Sequence, residues 1–130
     1  MAERIQTPVD EQSWFSGGQG VALLWVGLLA APTAWALDLL ISYAAVKWTC
    51  SSQHTAALHV ITLGALLLTA GGAAASWTAL QRTPEPSSDD GPRPVDRGRF
   101  MAMLGLLSSA MFALAMIANA VPRVLLDACL

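Results

Sequence analysis

A handful of side chains in this 130-residue chain could do chemistry in an otherwise apolar setting: Asp38, Ser42, Tyr43, His59, Asn119 and two cysteines, Cys50 and Cys129. Asp38 is the outlier. It lies nine residues before Lys47, about 13 Å along a helix at about 1.5 Å per residue, and so well inside an apolar run. A charged carboxylate near the centre of a membrane-spanning helix costs about 2.5–3.5 kcal/mol on insertion scales, and such residues face a protein interior or water. Trp35, Asp38 and Ser42, three and four residues apart, share one helical face. Two readings are open: a protonatable site in a proton path or a polar contact with a partner subunit, or a neutral, hydrogen-bonded acid that locks helix packing. His59, together with Tyr43 and Asn119, makes one half of the apolar region its polar half. A single His without a second ligand at matching depth is a poor heme or metal site; a hydrogen bond to Tyr43 or a neighbouring carbonyl is expected instead. Cys50 and Cys129 fall past two helix ends on one side, and in an oxidising compartment they are expected to form a disulfide, with two free thiols as the alternative. No second close pair of ligands accompanies them, so they do not read as a metal motif.

The elements that must position these residues follow from composition. Hydrophobic residues make up 55% of the chain and charged residues 12%, about half the usual share of a soluble domain. The mean hydropathy is +0.52. A net charge of −2 offers no cationic field for phosphates, which argues against a nucleic-acid-binding protein, and the apolar content argues against a disordered tail. So much apolar surface on so short a chain also excludes an ordinary soluble enzyme.

The charges are confined to the N-terminal stretch (Glu3, Arg4, Asp10, Glu11), the segment from Arg82 to Arg99, and Arg123 and Asp127, leaving only Asp38 and Lys47 elsewhere. Three long apolar segments emerge, at about 21–46, 55–80 and 100–121. Each reaches the roughly 20 residues that cross a bilayer, and lipid supplies no partner for backbone amides, so each must be helical. The expected fold is all-α, an integral membrane bundle of three transmembrane helices in a single membrane domain. Residues 1–20 form a polar tail whose Trp14-Phe15 pair suits the headgroup level. Residues 82–99, with Pro84, Pro86, Pro92 and Pro94, read as an extended tether. Residues 47–54 (with His54 solvated) and 122–130 fall on the other side. The first apolar run exceeds a signal-peptide core and follows an acidic stretch, so it is expected to stay in the mature protein. Arg4, Arg82, Arg93, Arg97 and Arg99 on one side against Lys47 and Arg123 on the other favour a cytoplasmic N-terminus and an outer C-terminus.

Packing signals are also present. Pro32 removes a donor inside the first helix and is expected to kink it ahead of Asp38. The run Gly71-Gly72-Ala73-Ala74-Ala75-Ser76 allows close backbone approach, with Gly71, Gly72 and Ala75 as candidate contacts, and Gly105, Ser109 and Ala113 form a ridge at fourfold spacing, either as internal contacts or as docking surfaces for other chains. No phosphate-binding Gly-rich loop, nucleophile elbow, His-Glu-x-x-His or paired carboxylates are present, so no catalytic residue and no cofactor of its own is expected.

One pattern runs through much of the chain: Ala31-Pro32-Thr33-Ala34-Trp35, Asp38-Leu39, Ser42-Tyr43-Ala44 and Cys50; then Leu58-His59-Val60-Ile61-Thr62-Leu63; Arg97-Gly98-Arg99-Phe100; and Pro122 through Asp127-Ala128-Cys129. It resembles the small three-span membrane proteins encoded near heme–copper cytochrome c oxidase genes in bacteria. The resemblance implies association with a respiratory complex in the bacterial inner membrane. It carries no catalytic residues to transfer. The expected role is a non-catalytic accessory subunit packed against larger membrane-protein subunits, with lipid or a partner-held heme at the seam and no nucleic acid. A transient assembly factor acting through the outer thiols, or a proton-path component using Asp38, are the alternatives.

Overall fold

In a computed structural model, which describes residues 17–83, 94–126 and 129, every regular element is a helix. The order is α1 (Gly18–Ser52), α2 (Ala56–Gln81) and α3 (Pro94–Leu125). All three are long and apolar enough to cross a membrane, and each packs against the other two. The described residues form an all-helical bundle of three helices able to span a membrane, consistent with a multi-pass membrane protein.

The helices outrun the apolar segments. α1 continues through residues 47–52, which the apolar run alone assigns to a loop, and the link to α2 shrinks to Gln53–Thr55. α3 takes in residues 94–99 of the expected tether and runs past Val121 to Leu125. The physical reason is that hydropathy falls at the headgroup level, whereas backbone i→i−4 bonding continues through polar residues. Pro94 suits the first position of α3, where no amide donor is needed, and Asp96 in that first turn and Arg123 in the last complement the helix dipole. The N-terminal tail with Trp14-Phe15 and the centre of the tether, residues 84–93, lie outside the described residues.

α1 reverses into α2 at Gln53, whose φ of 56° lies in the left-handed region. The amides of Gln53 and His54 both return to the Thr49 carbonyl, closing the orphaned end of α1 in a Schellman-like turn without glycine.

Buried residues recur at alternating spacings of three and four. In α1 they are Gly20, Leu24, Gly27, Ala31, Ala34, Asp38, Ser42 and, seven residues on, Thr49, and in α2 Leu58, Thr62, Thr69, Gly72, Ser76 and Ala79. In α3 they are Gly98, Ala102, Gly105, Ser109 and Met116. This near-heptad period is that of left-handed helix packing. Apart from Leu24, Leu58 and Met116 the interior is built of small and polar residues, and most long apolar side chains, such as Leu40, Leu67 and Leu107, point outwards. That inversion follows from the solvent: lipid does not drive leucines together, so small residues that let backbones close in take the interface.

The tightest contact lies at mid-bundle. A Cβ placed on Gly27 or Gly105 would collide with Ser76 Oγ, and one on Gly72 would stand 2.6 Å from Ala30 Cβ. Gly105 and Ser109 are buried and Ala75 and Ala113 half-buried, but Gly71 faces outward with open space around it. Gly71 therefore makes no packing contact inside the bundle: it is one residue, about 100° of helix, from the inward Gly72. Toward the other end, Leu24, Ala79 and Ala102 form an apolar plug.

Candidate functional site

α1, α2 and α3 converge on one polar cluster between the Gly27–Ser76–Gly105 contact and the α1–α2 turn. Asp38 sits at an inward position of α1 and is 1% exposed. Its Oδ1 accepts a hydrogen bond from Thr62 Oγ1 of α2 at 2.9 Å. Thr62 Oγ1 in turn accepts from Arg123 Nη1 of α3 at 3.0 Å, and the same Nη1 donates to Ser42 Oγ at 3.3 Å. Three helices are thus tied through one hydroxyl, with a guanidinium on one side of it and a carboxyl on the other. Asp38 faces its own bundle.

The position of Arg123 makes the arrangement informative. The contacts of Gly27 with Gly105 and of Trp35 with Phe112 fix the register of α1 against α3, and place the Arg123 backbone about one turn beyond Ser42 toward the α1–α2 turn. Its side chain therefore runs inward. A lone arginine near a helix end ordinarily extends toward the interface and water. Here two hydroxyls, with Asp38 behind one of them, hold it in the opposite direction. The geometry lowers the cost of a buried acid by giving it a hydroxyl donor and a nearby cation, in a setting where an uncompensated charge is costly.

The cluster is not fully satisfied. Among the described residues Asp38 Oδ2 is buried without a hydrogen-bond partner, as are Trp35 Nε1 and Ser109 Oγ. Trp35 instead packs its ring on Phe112, centroids 5.5 Å apart. Other interior hydroxyls are satisfied within their own helices: Thr49 donates to the Ala45 carbonyl and Thr69 to the Ala65 carbonyl, at 2.8 and 2.9 Å.

Of the residues singled out in the sequence, Asp38 and Ser42 enter this cluster. Tyr43 and His59 do not, and of the two partners expected for His59, Tyr43 or a neighbouring carbonyl, the Tyr43 hydroxyl is not one it meets. Tyr43 is 83% exposed and His59 is exposed, because each is the immediate neighbour of an inward residue, Ser42 and Leu58. Asn119 is likewise exposed. Thr62 and Arg123, which complete the cluster, were not marked by the sequence as site residues. The usable signal was a hydroxyl on an apolar helix that also bears glycine and serine at core spacing, and a basic residue in the last turn of α3.

At the same end of the bundle Cys50 and Cys129 form a disulfide, with a Cα–Cα distance of 5.5 Å. It ties the segment after α3 to the last turn of α1, just beyond the layer in which Arg123 reaches inward. His54 is exposed, its Nδ1 2.6 Å from the Ser52 carbonyl. No protein-family model, curated protein or solved structure matches this chain.

Proposed function

We propose that this protein is a non-catalytic accessory subunit of a bacterial membrane electron-transfer complex, of the cytochrome c oxidase type. In this reading it lies in the inner membrane with its N-terminus in the cytoplasm, and the Cys50–Cys129 disulfide faces the oxidising outer side. The observation that carries the proposal is the division of labour between interior and surface. The buried Asp38 is engaged with Thr62, and Thr62 and Ser42 with Arg123, while the outward faces are long apolar side chains suited to lipid and to larger helical subunits. The residue pattern from Ala31 to Cys129 supports the choice of complex. Such a subunit contributes packing area and holds lipid, or the neighbourhood of a partner's heme, at the seam.

Purification in mild detergent through a tag on this chain tests the proposal. Heme-bearing subunits should accompany the chain at a fixed ratio through size-exclusion chromatography. Heme partners found only during biogenesis, and absent from the mature complex, would instead make the chain a transient assembly factor. Recovery of the chain alone at full yield would reject both.

The unpartnered Asp38 Oδ2 favours a second reading, in which Asp38 belongs to a proton path. Asp38→Asn preserves shape and hydrogen bonding but removes titration. Unchanged turnover and proton pumping in that variant would retire this reading.

A further inference from the structure

A groove of about 640 Å³ runs along α1 toward the disulfide end, walled by Trp35, Leu39, Leu40, Tyr43 and Val46, with Arg123 at its side. It opens on the outward surface, where Leu40 and Tyr43 are among the most exposed apolar and aromatic residues. From Trp35 to Val46 is eleven residue steps, about 16 Å along the helix and close to the depth of one leaflet of a roughly 30 Å hydrocarbon core. Arg123 is the one basic residue in the groove wall. Its Nη1 donates to Ser42 and Thr62. A second groove, of about 300 Å³ between Leu66 and the end of α3, is wholly apolar and has no such donor.

From this we infer that the Trp35–Val46 groove is a binding site for an anionic phospholipid, its acyl chain lying along α1 and its phosphate and ester oxygens on the Arg123 guanidinium. The guanidinium lies beside Ser42, roughly 7 Å in from the level of Lys47 at the rise of a helix. Local thinning of the kind that buried arginines cause brings a headgroup to it. A transmembrane helix of ordinary apolar composition would fill the groove but offer nothing to the guanidinium in its wall, whereas a phosphate accepts charge-assisted hydrogen bonds from it. The inference concerns the chain alone in lipid, so it stands or fails separately from the partnership proposed above.

The test uses the full-length chain in detergent, equilibrated with equimolar phosphatidylglycerol and phosphatidylcholine of identical acyl chains, with retained lipid counted by native mass spectrometry. Retention of phosphatidylglycerol should exceed that of phosphatidylcholine by about fivefold, near the effect of one basic side chain at a membrane surface. Arg123→Gln should bring the ratio close to one. Because that change also disturbs the Thr62 cluster, Ala36→Trp, an exposed substitution that fills the groove, should by itself abolish the preference. Ala120→Trp in the apolar groove should leave it intact. Equal retention of the two lipids by the unaltered chain, or a preference that survives Ala36→Trp, would overturn the inference.

Discussion

Replacing Thr62 by Val tests the polar cluster with little change in shape. The methyl group fills the space of the hydroxyl, so almost no cavity forms, but two hydrogen bonds vanish together: the one Thr62 donates to Asp38 Oδ1 and the one it accepts from Arg123. Side-chain hydrogen bonds between membrane helices contribute about 0.6 kcal/mol on average and up to about 1.7 kcal/mol each. Asp38, with Oδ2 already unpartnered, would lose its remaining bond, and an orphaned buried polar group adds about 1–3 kcal/mol. The expected destabilisation is therefore about 2–4 kcal/mol, roughly a 30- to 700-fold change in the unfolding equilibrium. Thr69→Val is the matched control. Thr69 is buried on the same face of α2 but donates to the Ala65 carbonyl of its own helix, a bond that survives separation of the helices, so the change should stay within about 0.5 kcal/mol. Reversible unfolding in mixed detergent–SDS micelles, followed by circular dichroism, measures both. A double-mutant cycle of Thr62→Val with Arg123→Gln should return a coupling of about 0.5–2 kcal/mol. Equal costs for Thr62→Val and Thr69→Val, or zero coupling, would refute the bridging role of Thr62.

Other expectations follow from the same packing. Gly105→Ala drives a methyl group into Ser76 Oγ and the Gly27 backbone and should destabilise the bundle by about 1–3 kcal/mol in the same assay. Gly71→Ala, which meets open space, should be neutral or stabilising by up to about 1 kcal/mol. Reducing the Cys50–Cys129 disulfide, which joins residues 79 apart, should lower stability by about 2–4 kcal/mol and shift the mobility of the chain on a non-reducing gel. In intact cells permeable only at the outer envelope, a bulky maleimide should label Cys50 only after a membrane-impermeant reductant has been added. Labelling without reductant would argue against an oxidised pair on that side.

The spans and Asp38 were legible in the sequence because both rest on solvation alone: a long uncharged run has no stable alternative to a helix in lipid, and a single acid within it stands out. The disulfide was legible from topology, since two helices, an even number of crossings, lie between Cys50 and Cys129 and return the chain to the same side. The inward face was less so. In a soluble helix Leu40 or Leu67 would mark the core, whereas here glycine, alanine and hydroxyl positions mark it, and Gly71 and Gly72 differ in composition not at all but in orientation by 100°. Tyr43, His59 and Asn119 were placed at the right end of the bundle but on its outside, because depth can be read from distance to a charged flank while rotation depends on which neighbour is buried. Arg123 escaped notice for a related reason. Hydropathy ends α3 near Val121, yet the helix passes Pro122, whose carbonyl accepts from Leu126, and that extra turn aims Arg123 at Thr62.

The measurement that bears most directly on the central claim, that the intramembrane acid is enclosed by its own three helices, is the reactivity of Asp38 toward a lipid-soluble carbodiimide in native membranes, read by mass spectrometry of the labelled peptide. With Asp38 1% exposed, the folded chain should be essentially unlabelled, and labelling should appear in Thr62→Val or after unfolding in SDS. Rapid modification of Asp38 in the folded, unaltered protein would place the acid on a lipid-facing surface and contradict the account.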